Sequence, residues 1–165
     1  MELTDIMPFE GWKELVEDIY TRFGCNGTVF NKSNNVLVKS EKWANKICPS
    51  IKAGDSRVIC ATAQQRMSKV AEEKKEPIIE ECDAGFTKFV IPIFTDDEFV
   101  GMIGGCGCLL EGSEVDAFYI GKLLKKEEGV KDLLPTIRYF SKDELSEAIR
   151  YVQGRVEEAL RASKR

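Results

Sequence analysis

Histidine is absent from this 165-residue sequence, and its absence removes a whole tier of chemistry. Ser-His and Cys-His nucleophilic catalysis are excluded, as are His-ligated zinc enzymes and haem held by a proximal histidine. Asp, Glu, Lys or Tyr remain as general bases, but the usual neutral-pH proton shuttle is missing. No window approaches the ~18 consecutive apolar residues of a membrane span. The opening residues, Met1 to Asp5, are acidic where a secretory leader is basic and then apolar. Both absences predict a chain that stays in the cytoplasm. A basic excess is also lacking, since 24 Lys and Arg stand against 28 Asp and Glu for a net charge of −4. Nucleic-acid backbones are gripped by concentrated Lys and Arg. The nearest clusters, Lys122 to Lys126 and Arg161 to Arg165, alternate with acids or occupy the last residues, and read as solvated faces.

What is present fits one globular domain over residues 1–165: 43% hydrophobic and 32% charged residues support a buried core. Trp12, Leu15, Val16, Ile19, Tyr20 and Phe23 recur at helical spacing, and Gly24 stops that helix. Cys25 to Lys32 and Asn35 to Ser40 read as two strands joined at Ser33-Asn34. Trp43 to Ile47 reads as a short helical turn ending near Cys48-Pro49. Asp55 is placed to cap a helix running to about Glu73, and Ile78 to Cys82 is extended. Thr87 to Phe94 and Phe99 to Leu110 form the clearest hairpin, with Pro92 expected at an edge or irregularity because it cannot donate to a ladder. Ser113 is expected to cap the next helix, and Val130 to Tyr139 is shorter and broken by Pro135. Ser141 and Glu144 form a capping-box pattern opening a helix over about 141–163. Its apolar seam, Leu145, Ile149, Val152, Val156 and Leu160, suits the core or a second helix. This order predicts an α+β, PAS- or GAF-like fold: a central, mostly antiparallel sheet of four to six strands flanked by helices, with a long C-terminal helix.

Six cysteines in a reducing compartment are not expected to be structural disulfides. They stand at 25, 48, 60, 82, 106 and 108, with no C-x-x-C pair. Cys60 lies in the first turns of its helix, where the amide dipoles favour a thiolate. Cys106 and Cys108 lie in Gly104-Gly105-Cys106-Gly107-Cys108, whose glycines leave the backbone open to close approach. In a regular strand residues 106 and 108 point the same way with Cα atoms about 6.7 Å apart. Two sulfurs on one zinc need to be about 3.8 Å apart, from Zn–S bonds of ~2.3 Å. A flat strand fits that poorly, although a Gly bulge can close the gap. An iron–sulfur cluster tolerates wider spacing, and all-thiolate ligation suits a chain without histidine. Against this stands the plain reading of buried cysteines as small hydrophobes, which Cys25 fits best. Trp43, Phe86, Phe89 and Tyr119, with Gly105, are candidates to line an apolar ligand pocket.

The segment 48–110 resembles a known family. Cys48, Cys60, Cys82-Asp-Ala84-Gly85-Phe86, Val90-Ile-Pro92-Ile93 and Gly101 to Gly105 are similar to the PocR-type sensory domain. That resemblance implies a PAS/GAF-like fold, a small organic ligand and an attached output module. Two departures matter. Family members commonly carry Gln after the Gly-Gly where this sequence has Cys106, with Cys108 added, which points toward a metal centre or redox chemistry. No output module lies in these residues, so signalling is expected through a partner or self-association.

The leading expectation is a sensor rather than a self-sufficient enzyme. In it Cys48, Cys60, Cys82 and Cys106, with Cys108 as a fifth candidate, hold an iron–sulfur cluster or another thiolate-bound metal. Binding would bias the C-terminal helix toward a homodimer or a signalling partner. Three alternatives remain: an apolar-pocket binder of a small organic molecule, a thiol enzyme using Cys60 or Cys82, and an adaptor acting through the 141–163 helix.

Overall fold

The helical periodicity that begins at Trp12 folds as the spacing predicts. In the computed structural model, which describes residues 1–126 and 128–165, a short α1 (Leu3–Ile6) leads into α2 (Phe9–Phe23). Trp12, Leu15, Val16 and Ile19 occupy one side of α2 and are buried completely. Each such side chain contributes about 1.5–3 kcal/mol when it leaves water. Gly24 ends the helix in the left-handed region at φ 73°, its N–H bonded to the Tyr20 carbonyl.

Strands β1 (Asn26–Asn31), β2 (Val36–Lys39), β3 (Ile78–Glu81), β4 (Thr87–Thr95) and β5 (Glu98–Leu110) form an antiparallel path in the order β2-β1-β5-β4-β3. A sixth strand, β6 (Arg138–Phe140), pairs with β5 in parallel. The β4–β5 turn places Asp96 and Asp97 at φ 48° and 68°, a turn whose twist matches that of the strands it joins. Pairing of β3 with β4 stops at Val90. Beyond it Pro92 has no β3 partner among the described residues, the edge position at which a missing amide is tolerated.

Period-two alternation divides the side chains between two faces. Ile91, Ile93 and Ile103 share one core with α1, α2 and α7 (Lys142–Ser163). On the other face Val90 and Met102 pack beneath α4 (Val58–Lys74), and Leu109 joins a cluster with α3 (Ile47–Ala53) and α5 (Ala117–Leu124). The helix α6 (Val130–Leu133) closes that second face. This is the α+β, PAS/GAF-like arrangement expected from element order, with its long final helix.

Several local expectations change. The turn before Cys48 is irregular, and α3 begins at Ile47, with Cys48 and Pro49 inside its first turn. Proline is accepted there because a first-turn amide has no intrahelical partner. Asp55 caps nothing: it opens a 3₁₀ turn (Asp55–Arg57) and its carboxylate meets Lys125 Nζ at 2.7 Å. The cap of α5 is Asp116, which accepts from the Tyr119 amide, rather than Ser113. Strand β6 was hidden behind Pro135, where the sequence offered no alternation to mark it. Ser141 does cap α7, its Oγ accepting from the Glu144 amide at 3.1 Å. The α7 seam of Leu145, Ile149, Val152 and Val156 is buried within the first core. It is therefore not free to pair with a second helix.

Candidate functional site

Four cysteines distant in sequence line one cavity of about 580 Å³ between the sheet and helices α3 and α4. Cys48 comes from α3, Cys60 from the first turn of α4, Cys82 from the turn just after β3 and Cys106 from β5. Each of the six pairings among them is close enough for one thiolate to raise the pKa of another.

Local structure aims each sulfur. Asn45 holds α3 in place by accepting from the Ile47 and Cys48 amides, both at 2.8 Å. Its Nδ2 lies 3.2 Å from Cys48 Sγ and 2.8 Å from the Gly107 carbonyl, tying the helix to β5. Cys82 begins a tight turn in which its N–H bonds the Phe86 carbonyl at 2.9 Å and its carbonyl accepts from Gly85 at 2.8 Å. The amides of Phe86 and Ala84 face its sulfur and favour the thiolate. Asn26 Nδ2 lies 3.9 Å from Cys106 Sγ, and Lys52 and Lys88 act on Cys60 in the same direction. Every sulfur thus has an N–H donor or a cation beside it.

Burial outweighs this help for three of them. The Cys48 thiol is pushed well above the ordinary range, first by desolvation and then by the neighbouring sulfurs of Cys106, Cys82 and Cys60. Cys60 and Cys82 are raised too, again chiefly by burial. Desolvation therefore opposes the helix dipole expected to activate Cys60.

The bulge at Gly107 splits the last two cysteines. Across β5, Thr87 pairs with Cys108 while Lys88 pairs with Cys106, leaving Gly107 unpaired at φ 87°. Cys106 faces the cavity, whereas Cys108 is fully buried in the opposite core beside Cys25. Cys108 accordingly drops out of the proposed ligand set. Alternation likewise turns Phe89 and Gly105 to that far face, where a side chain on Gly105 would meet the Phe89 ring at 2.7 Å. Trp43 lies outside the cavity, half-exposed beneath Lys39 Nζ at 5.5 Å, and Tyr119 is 40% exposed on α5. Of the five apolar candidates only Phe86 lines the cavity.

Sequence reasoning passed over the polar lining. Gln64 is 4% exposed, its Nε2 lies 2.9 Å from Met102 Sδ and, among the described residues, its Oε1 has no partner. Its spacing from Cys60 and Met67, four and three residues, was the available signal. Lys52, Arg57 and Lys88 also line the cavity. Among the described residues none of these three lies within salt-bridge distance of a carboxylate.

Among the described residues no group of three or more His, Cys, Asp or Glu side chains stands close enough to hold a single metal ion. A mononuclear zinc site therefore does not fit these side-chain positions. No helix among the described residues is long and apolar enough to cross a membrane. Comparison with protein-family models matches residues 5–163 to the sensory domain found in PocR. Searches of curated proteins and of solved structures give no match.

Proposed function

The chain belongs to the family of the sensory domain found in PocR and has a ligand-sensing role; we propose that what it senses is bound at Cys48, Cys60, Cys82 and Cys106 as a thiolate-held iron–sulfur centre. One observation carries this reading: four separate segments, three of them in helices or strands and one a turn, each deliver one cysteine to the same cavity. A multi-atom cluster spans sulfurs that a single ion cannot reach, and four thiolates are its usual ligand set. When bound, the cluster supplies one-electron redox chemistry. The protein's own part is to hold and tune it. Asn45, Asn26 and the amides of Ala84 and Phe86 donate toward three of the sulfurs, and such donors orient ligands and set reduction potential. Lys52, Arg57 and Lys88 balance the negative charge that four thiolates bring.

The test is anaerobic purification followed by iron, acid-labile sulfide and visible-absorption measurements. Iron and sulfide in comparable amounts, with absorption bleached on reduction and lost in Cys→Ser variants at 48, 60, 82 and 106, is the expected result. A colourless, metal-free protein that takes up nothing on incubation with ferrous iron and sulfide would overturn the reading.

The unpartnered Gln64 oxygen favours a second reading, in which the cavity takes a small organic molecule bearing a hydrogen-bond donor. A volume of about 580 Å³ lies within the range of small-molecule sites, roughly 300–1,000 Å³. Mass spectrometry of co-purified small molecules separates the two: a retained organic compound in iron-free protein selects the second.

A further inference from the structure

Behind the cavity wall lies a second thiol site. Cys25 and Cys108 are 1% and 0% exposed, with their sulfurs 3.4 Å apart. They meet because the Gly107 bulge displaces Cys108 by one position toward the residue just ahead of β1. The Cys25 thiol donates to Cys108 Sγ, and the Cys108 thiol donates to the Gly24 carbonyl at 3.2 Å. Arg138, paired with Cys108 across β5 and β6, is exposed, and its side chain lies over Gly24.

We propose that Cys25 and Cys108 form an oxidisable pair that a hydroperoxide converts to a disulfide. The two residues differ in role. Cys25 donates to Cys108 Sγ, so Cys108 is the sulfur that a neighbouring S–H steadies as the attacking thiolate, and Cys25 is the sulfur that resolves. The Gly24 carbonyl opposes ionisation of Cys108, and departure of that proton is the first step. The Cys108 thiolate attacks one peroxide oxygen and the O–O bond breaks, giving a sulfenic acid and, after protonation, water or an alcohol. The Cys25 sulfur then displaces the hydroxyl, forming the S–S bond and releasing water. Two thiols lose two protons and two electrons, and the peroxide is reduced.

Forming a bond of about 2.05 Å draws the sulfurs together by roughly 1.4 Å. The pull falls on Asn26, which follows Cys25 and faces Cys106 Sγ, and on Gly107, whose carbonyl is held by Asn45. Oxidation therefore shifts the cavity wall. The pair stands independently of the iron–sulfur reading, and only this effect on the cavity depends on a ligand being there.

The experiment treats reduced, full-length chain with hydrogen peroxide, denatures it in N-ethylmaleimide and maps unreduced peptides by mass spectrometry. The expected product is a Cys25–Cys108 linked peptide with loss of two free thiols per chain. The same link is expected in C48S/C60S/C82S/C106S protein, which separates this site from the cavity thiols. In C25S, whose hydroxyl can still donate to Cys108 Sγ but cannot form the link, the expected product is Cys108 sulfenic acid, captured by dimedone. Links confined to 48, 60, 82 and 106, or N-ethylmaleimide on both Cys25 and Cys108 after peroxide treatment of wild-type protein, would overturn the proposal.

Discussion

At Gln64 a buried amide oxygen has no hydrogen-bond partner among the described residues. Leaving such an atom unsatisfied costs about 1–3 kcal/mol. Gln64→Met keeps the length of the side chain and removes the orphan, so ligand-free protein is expected to gain about 1 kcal/mol by urea denaturation. A loss of that size instead would mean that the amide is satisfied in solution. The same residue illustrates what was legible at this scale. Cys48, Cys60, Cys82 and Cys106 drew notice because cysteine carries chemistry by itself. Asn26, Asn45 and Gln64 acquire roles only through neighbours that folding supplies.

Among the elements, β5 holds the decisive irregularity. Its Cys-Gly-Cys spacing predicts two thiols on one face, and the bulge sends them to opposite faces. Gly107 sits at φ 87°, and a Cβ there would lie 2.5 Å from Asn26 Nδ2. Gly107→Ala is therefore expected to lower stability by about 1–3 kcal/mol, read as a drop in denaturation midpoint, and to loosen the Asn45 tie between α3 and β5. An unchanged midpoint would show that β5 carries no strain at this position. Helix α2, the β4–β5 hairpin and α7 were legible because each has its own periodicity and stop signals. Strand β6 was not, because three residues that pair in parallel with β5 leave no repeat long enough to detect.

For the molecule as a whole, the buried cavity thiols set a pH dependence. Burial raises Cys48, Cys60 and Cys82 in the folded state, while the unfolded chain loses those protons near pH 8.5. Their contribution is fully present below that pH and falls as pH rises toward the folded values, because the unfolded state then binds fewer protons. Each thiol that stays protonated removes up to about 1.4 kcal/mol per pH unit. Cys25 acts in the same direction, and Cys108, held low, acts against it. Chemical denaturation of metal-free protein between about pH 7 and 10 should show this decline, and serine at 48, 60 and 82 should flatten it. Uptake of ferrous iron and sulfide, which must displace those protons, should tighten over the same range. Affinity independent of pH would remove the cavity thiols as its ligands.

The sequence by itself determined the class of fold, since hydrophobic periods, caps and turn residues act over a few neighbouring positions, and its segment 48–110 carried the resemblance that the family match over residues 5–163 bears out. It also narrowed the chemistry, because a chain without histidine leaves sulfur as its main soft ligand. Tertiary structure decided which sulfurs share a space. Strand pairing and one bulged glycine sort the six cysteines into a cavity set of four and a core pair of two. That sorting depends on register across residues some eighty positions apart, and no local pattern in the chain encodes it.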